Sequence, residues 1–118
     1  DDKFLMQQRD GNSKIFKFRW CFPGGAMDEG ETYEQTLERE VKEEYGLDIK
    51  AERCTLLMER HRSRVNHVYI CPIDNSQEPV LNEGADMKWM TIEEIKALDI
   101  AFYQEDIVEE LSKFETKK

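Results

Sequence analysis

The apolar positions of this chain change period as one reads along it, and the changes mark out its elements. From Lys3 to Arg9 a short run with Phe4, Leu5 and Met6 predicts a strand, closed by the turn Asp10-Gly11-Asn12-Ser13. A basic stretch from Lys14 to Arg19 leads into Trp20-Cys21-Phe22-Pro23-Gly24-Gly25, whose Pro-Gly-Gly is a loop. The pattern then becomes helical from Thr32 to Tyr45. Thr32 with Gln35 makes a capping box, and Gly46 stands where a left-handed C-terminal cap belongs. Residues 49–60 and 65–72 predict two strands, the second with Val65, Val68, Tyr69, Ile70 and Cys71, followed by the turn Asp74-Asn75-Ser76. A short strand, Met87 to Met90, surrounds Trp89. Thr91 with Glu94 opens a short helix to about Leu98, and Tyr103 to Phe114 forms an amphipathic helix with Ile107, Val108, Leu111 and Phe114 inward. No repeat or linker interrupts residues 1–118, so the pattern predicts one α+β domain, or a sheet between helices.

Composition narrows what such a domain can do. Charged residues reach 36% and the net charge is −9, which disfavours a nucleic-acid polymer as partner because that needs a basic face. An acidic protein that handles phosphates must work through a bound cation or local basic patches. No run of about 18 apolar residues and no basic-then-apolar leader is present, which predicts a soluble protein without a membrane span. Cys21, Cys54 and Cys71 are odd in number and in no metal-ligand spacing, as expected of free, packed thiols in a cytoplasmic protein.

The chemistry concentrates between Gly25 and Leu47. At about 100° per residue, Glu40, Glu43 and Glu44 share roughly a third of the helix circumference. Leu37 and Val41 flank that arc, while Gln35, Glu38 and Lys42 lie opposite. Glu40 and Glu44 therefore border the side that packs inward. Like charges at i,i+4 repel, and more strongly when half buried without a partner. A hard divalent cation removes that cost and favours such carboxylate oxygens. Gly24 and Gly25 allow a backbone carbonyl to approach an ion closely. Glu31 adds a carboxylate at the helix mouth, where the helix dipole favours it. Arg39 lies apart from the three carboxylates and is placed to bridge backwards and fix their rotamers.

Gly25, Glu31, Arg39, Glu40, Val41, Glu43, Glu44, Gly46 and Leu47 match the Nudix box without departure: G, five residues, E, seven residues, then R-E-U-x-E-E-x-G-U, U being a bulky aliphatic. The sequence thus resembles the Nudix hydrolase superfamily, and in particular its small MutT-like domains. Phe22-Pro23-Gly24-Gly25 resembles the loop before the box in many members; Glu78-Pro79, Glu83-Gly84 and Trp89 resemble their later strand-and-loop region. The resemblance implies an αβα sandwich, a mixed sheet between helices with the box as loop-helix-loop. Members usually open with a strand before the one at 3–9, so a trimmed N-terminus or a differently completed sheet edge is expected.

It further implies Mg²⁺, with Mn²⁺ able to substitute, held by Glu40, Glu43 and Glu44 and the carbonyl of Gly24, with Arg39 orienting the first glutamate of the R-E-U-x-E-E run. Glu83 lies where MutT-like members supply one more carboxylate, as ligand or general base. The implied reaction is attack of water on phosphorus in a nucleoside diphosphate linked to another moiety, with a nucleoside triphosphate the first choice of substrate. ADP-ribose or another NDP-sugar is the alternative, although the proline of many ADP-ribose members is absent where Arg62 and Ser63 stand. A Nudix-fold sensor that binds a nucleotide without turnover is the reading from another class; such modules usually lose box carboxylates. The resemblance leaves room for a homodimer.

Gln104, at the start of the last helix, lies roughly where MutT-like members place an amide that reads the base; an exposed helix-start residue is the ordinary reading. Arg9 and Arg19 are candidates for substrate phosphates and Tyr69 for stacking on a base. Lys14, Lys17, Arg60, Arg62 and Arg64 read first as charged surface, and His61 and His67 as structural. Trp20 and Trp89, like Tyr69, read as core or pocket lining, with stacking on a base open to one of the three.

Overall fold

The computed structural model describes residues 2–62, 64–82 and 84–117. In chain order the elements are β1 (Phe4–Gln8), β2 (Trp20–Cys21), α1 (Tyr33–Tyr45), a single 3-10 turn (Ala51–Arg53), β3 (Thr55–His61), β4 (Val65–Ile70), β5 (Asp86–Met90), α2 (Ile92–Lys96) and α3 (Glu105–Thr116). They fall into two compact units, one from residues up to 23 and from 83 onward, the other from 24 to 82.

In the first unit β1 lies between β2 and β5, antiparallel to both, with Leu5 opposite Trp89 and Gln7 opposite Cys21. Met6 points into a core with Met90, Ile95 and Ile100, against which Phe4, Trp20, Phe22, Leu98 and Val108 pack. Trp20 also bridges Ile100 in parallel, through Trp20 N–H to the Asp99 carbonyl (2.9 Å) and Ala101 N–H to the Trp20 carbonyl (2.8 Å). This pairing makes residues 20–21 a strand, which the apolar pattern alone did not predict. Ile107 and Leu111 are buried on α3, as its periodicity requires. Trp89, expected inside, is 39% exposed.

In the second unit β3 and β4 form an antiparallel hairpin with a register shift between Leu56 and Met58. The strand expected from residue 49 starts at Thr55 instead. The Ala51 amide is taken by Glu38 Oε2 (2.9 Å) and the Cys54 amide by the Ala51 carbonyl (3.0 Å), which folds 51–53 into a 3-10 turn. Both ends of α1 are as the sequence predicts. Thr32 and Gln35 form the capping box, and Gly46, at φ 67°, donates its N–H to the Lys42 carbonyl (2.9 Å). Tyr45, Leu47 and Ile49 are buried just after it. The α+β class read from the sequence holds, and no described helix is long and apolar enough to cross a membrane.

Candidate functional site

The box residues Gly25, Glu31, Arg39, Glu40, Glu43, Glu44 and Gly46, with Gly24, all belong to the second unit. Arg39 is the hub. Its Nε donates to Glu31 Oε2 (2.7 Å) and its Nη2 to Glu31 Oε1 (2.8 Å), a bidentate pair. Nη2 also reaches the Ala26 carbonyl (3.0 Å), which pins the loop to the helix. Nη1 donates to Glu40 Oε1 (2.9 Å) and Glu43 Oε2 (3.1 Å). The arginine thus bridges backwards as expected, but it does not lie apart from the carboxylates: it contacts two of them.

Glu31 does more than favour a helix dipole. It accepts from Arg39, from the Asp28 amide (2.8 Å) and from the Thr36 hydroxyl (3.0 Å). These bonds, led by that from Arg39, bring its carboxyl down to about 2. The same pairing raises the already high affinity of the guanidinium for its proton. Glu31 and Arg39 are therefore a permanent ion pair that fixes the loop before α1.

Glu40 and Glu43 differ in setting. The side chain of Glu40 is 17% exposed and that of Glu43 is 60% exposed. A Cβ on Gly25 would collide with the Glu40 carboxylate and push it from its place beside Arg39, so the glycine serves close approach and not a special dihedral angle. Gly24 shows no such crowding; a Cβ there meets nothing within 4 Å. Glu44 is half buried, consistent with the inward border of the helix.

Among the described residues no three His, Cys, Asp or Glu side chains stand gathered as a ready metal cage. Two of the three helix glutamates each give one oxygen to Arg39, which supplies the positive charge in this arrangement. The residues nevertheless fit a hard divalent ion. Glu40 Oε2 and Glu43 Oε1 have no hydrogen-bond partner among the described residues, and Glu40 stands against a loop without a side chain. Mg²⁺ keeps several waters, so a closed all-protein cage is not needed.

Other residues support this helix in ways the sequence did not disclose. Asn82 Nδ2 donates to the carbonyls of Glu43 (2.9 Å) and Glu44 (3.0 Å), satisfying groups that α1 leaves open at its end. Gln77 pairs with the Asp48 backbone both ways, at 2.7 and 2.9 Å. Asn82 lies 38 residues from Glu44, and no local spacing announces it. Arg60, first read as surface charge, is 7% exposed. Glu83, the expected additional carboxylate, lies outside the described residues.

The substrate candidates divide between the units. In the second, Tyr69 donates to Glu34 Oε1 (3.4 Å); burial, then the Glu34 charge, raises its phenol's pKa. His67 stacks on Tyr33 with ring centroids 3.6 Å apart and bonds Glu59 (2.9 Å), in keeping with its structural reading. In the first unit, Arg9 lies over the Phe102 ring at 4.6 Å and Arg19 over Phe16 at 5.4 Å. Phe16 meets Phe102 and Tyr103 edge-on. Gln104 is the N-cap of α3 but does not cap it; its Oε1 accepts the Phe22 amide (2.9 Å). Its Nε2 has no partner among the described residues.

An arginine thus locks an acidic helix to a glycine loop in an α+β chain. The NUDIX domain family matches residues 1–111, and the chain belongs to that family: it is a Nudix hydrolase. It is 27% identical to the nucleoside triphosphatase NudI of Enterobacter sp. (strain 638), over 82% of this chain and 79% of that protein. Over 53 residues it is 53% identical to an 8-oxo-dGTP diphosphatase of Proteus vulgaris, a match covering 45% of each. In fold it is similar to the MutT protein of Methanosarcina mazei Go1 (TM-score 0.78, 22% identity, 98% of this chain and 86% of that one). It is also similar to the NUDIX domain of Shewanella oneidensis NrtR complexed with ADP ribose (TM-score 0.73, 24% identity, 94% and 76%). Nudix enzymes generally use divalent metal ions.

Proposed function

We propose that this Nudix hydrolase cleaves nucleoside triphosphates in a Mg²⁺-dependent, MutT-like manner, with Mn²⁺ able to substitute. The observation that carries the reading is the half-buried Glu40, one oxygen held by Arg39 and the other unengaged, against Gly25. Glu40, Glu43 and Glu44 hold the ion together with the Gly24 carbonyl, and Glu83 is the candidate for a further carboxylate. Arg39 acts through position, holding Glu31, Glu40 and Glu43 in one geometry. When bound, the ion neutralises the diphosphate and lowers the pKa of an attacking water. Arg9 and Arg19 are assigned to substrate phosphates, Gln104 to the base edge and Tyr69 to substrate contact. The choice of nucleoside triphosphate is supported by the activities named for the Enterobacter and Proteus relatives.

A second reading, hydrolysis of ADP-ribose or another NDP-sugar, is favoured by the ADP ribose bound to the Shewanella domain of like fold. A nucleotide sensor without turnover is disfavoured, because every box carboxylate is kept. One experiment separates the three. Phosphate release is measured from a panel of nucleoside triphosphates, NDP-sugars and dinucleotides with Mg²⁺, coupled to pyrophosphatase and alkaline phosphatase. Turnover of triphosphates, abolished by excess EDTA and restored by Mg²⁺ or Mn²⁺ but poorly by Ca²⁺, is the expected result. Preference for NDP-sugars selects the second reading, binding without turnover selects the sensor, and full activity in EDTA refutes the metal assignment.

A further inference from the structure

Outside the box, the second unit holds a pair of thiols that the hydrolytic reaction does not use. β3 and β4 pair antiparallel with Thr55 opposite Ile70, and one position further out that register sets Cys54 opposite Cys71. Residues directly opposite on antiparallel strands have Cα atoms roughly 4.5–5.5 Å apart. That range lies inside the roughly 4.4–6.8 Å a disulfide spans. The Cys54 amide bonds the Ala51 carbonyl (3.0 Å) and not its cross-strand neighbour. Both thiols are free and half buried. Cys54 donates its S–H to the Lys50 carbonyl (3.4 Å). Side chains directly opposite on antiparallel strands share one face, so this register sets the two thiols side by side at the hairpin's end.

We propose that Cys54 and Cys71 are an oxidisable dithiol, a modification site that closes into a disulfide across the open end of the β3–β4 hairpin. The oxidant class is a small-molecule disulfide. The Cys54 thiolate attacks one sulfur of that reagent, forming a mixed disulfide and releasing one small thiolate. Cys71, deprotonated in turn, attacks the Cys54 sulfur and expels the second. Two protein thiols are oxidised, one external disulfide is reduced to two thiols, and the protons pass to the released thiolates. Cys54 leads because the neighbouring Cys71 thiol favours its thiolate, whereas burial first and then the Cys54 neighbour drive the Cys71 thiol far above the usual thiol range. Burial also raises Cys54, followed by the charge of Glu38, so closure is slow at neutral pH and quickens as pH rises. The bridge abuts the 3-10 turn whose Ala51 amide is held by Glu38 of α1, and it braces the hairpin beside the box helix. Cross-linking residues this far apart restrains the unfolded chain, so the oxidised form is the more stable.

The full chain is incubated with oxidised glutathione at several pH values, quenched by alkylation and mapped by mass spectrometry. A peptide joining Cys54 to Cys71 is expected, formed faster at higher pH, with buried Cys21 alkylated only after unfolding. Tm is expected to rise by several degrees on closure and to return with dithiothreitol. Cys21→Ser keeps the linkage and the shift; Cys71→Ser loses both and stops at the glutathione adduct of Cys54. A wild-type map with only glutathione adducts or intermolecular links overturns the proposal, as does a fully linked protein whose Tm is unchanged or lower.

Discussion

The box helix and the region around Gln104 are both candidate functional surfaces, yet they are built in opposite ways. Around α1 the decisive contacts are close in sequence: Arg39 to Glu31 spans 8 residues and Arg39 to Glu43 spans 4. Helical geometry and one loop are enough to bring them together. Around Gln104 the decisive bond, to the Phe22 amide, spans 82 residues. Its neighbours Phe16, Phe18, Phe102 and Tyr103 all hold positive φ, between 54° and 59°. Non-glycine residues adopt that region only at a cost, so long-range packing imposes what local preference opposes. The first region carries its geometry in spacing, and the second carries it in strain.

The sharpest break is in the carboxylates. Glu40→Gln, Glu43→Gln and Glu44→Gln each remove a charge while keeping shape, and kcat is expected to fall by about 10²-fold or more with the fold intact by circular dichroism. Arg39→Ala, which removes positioning rather than a ligand, is expected to cost about 10–100-fold. Glu38→Gln is the control. Its oxygen accepts the Ala51 amide, and glutamine retains an acceptor, so kcat should stay within about twofold. Glutamine variants that all keep more than half of wild-type kcat place the metal elsewhere.

Next comes the loop. Gly25→Ala sets a methyl group into the Glu40 carboxylate, whereas Gly24→Ala meets open space. The expected pair is a loss in kcat of about 10-fold or more at Gly25 and little change in Tm or the carboxylate pocket at Gly24, because a misplacement near 1 Å costs up to about 10²-fold. Equal effects at the two glycines contradict the close-approach role assigned to Gly25 alone.

This contrast also explains what could be read in advance. The capping boxes of Thr32 and Thr91, the left-handed Gly46 and the arc of Glu40, Glu43 and Glu44 follow from spacings of a few residues, and so was the helix with its chemistry. β2 was not legible, because Trp20 and Cys21 are made a strand by Gln7, Gln8 and Ile100. Asn82 beneath the end of α1 and buried Arg60 were hidden for the same reason: their roles come from segments brought near by folding. The split of Glu40 and Glu43 toward Arg39 was missed because a helical projection gives angles without side-chain reach.

At Gln104 the expectation sharpens. Alanine would remove both the Phe22 bond and the unengaged amide donor, mixing a local structural effect with substrate reading. Gln104→Glu keeps an oxygen for Phe22 and exchanges the NH₂ donor for a charged acceptor, so a non-nucleotide diphosphate serves as the control for charge. If the amide reads the base, KM is expected to rise for the preferred nucleotide, by about 1–3 kcal/mol in kcat/KM, with discrimination between two bases blurred and Tm unchanged. A KM and base preference equal to wild type move base reading to another residue and strengthen the NDP-sugar reading.

The smallest effect tests the strain itself. Phe18 (φ 59°) and Phe102 (φ 57°) share a backbone conformation but differ in what their rings do. Phe102 lies under Arg9 at 4.6 Å and meets Phe16 edge-on at 5.3 Å. Phe18 is 57% exposed and its ring stands against Gly11, whose added Cβ would meet it at 2.8 Å. Asparagine tolerates left-handed backbone better than phenylalanine, so each Phe→Asn change relieves part of a strain of about 1–3 kcal/mol. At Phe102 the relief is offset by losing a cation–π contact and an aromatic pair, each worth about 0.5–1.5 kcal/mol. Phe18→Asn is therefore expected to raise stability by about 0.5–1 kcal/mol and Phe102→Asn to lower it or leave it level, both read from urea midpoints at constant m-value. Should Phe18→Asn destabilise by as much as Phe102→Asn, the positive φ at Phe18 stores no strain that asparagine can relieve, and the contrast between a region carried by spacing and one carried by strain fails at this position.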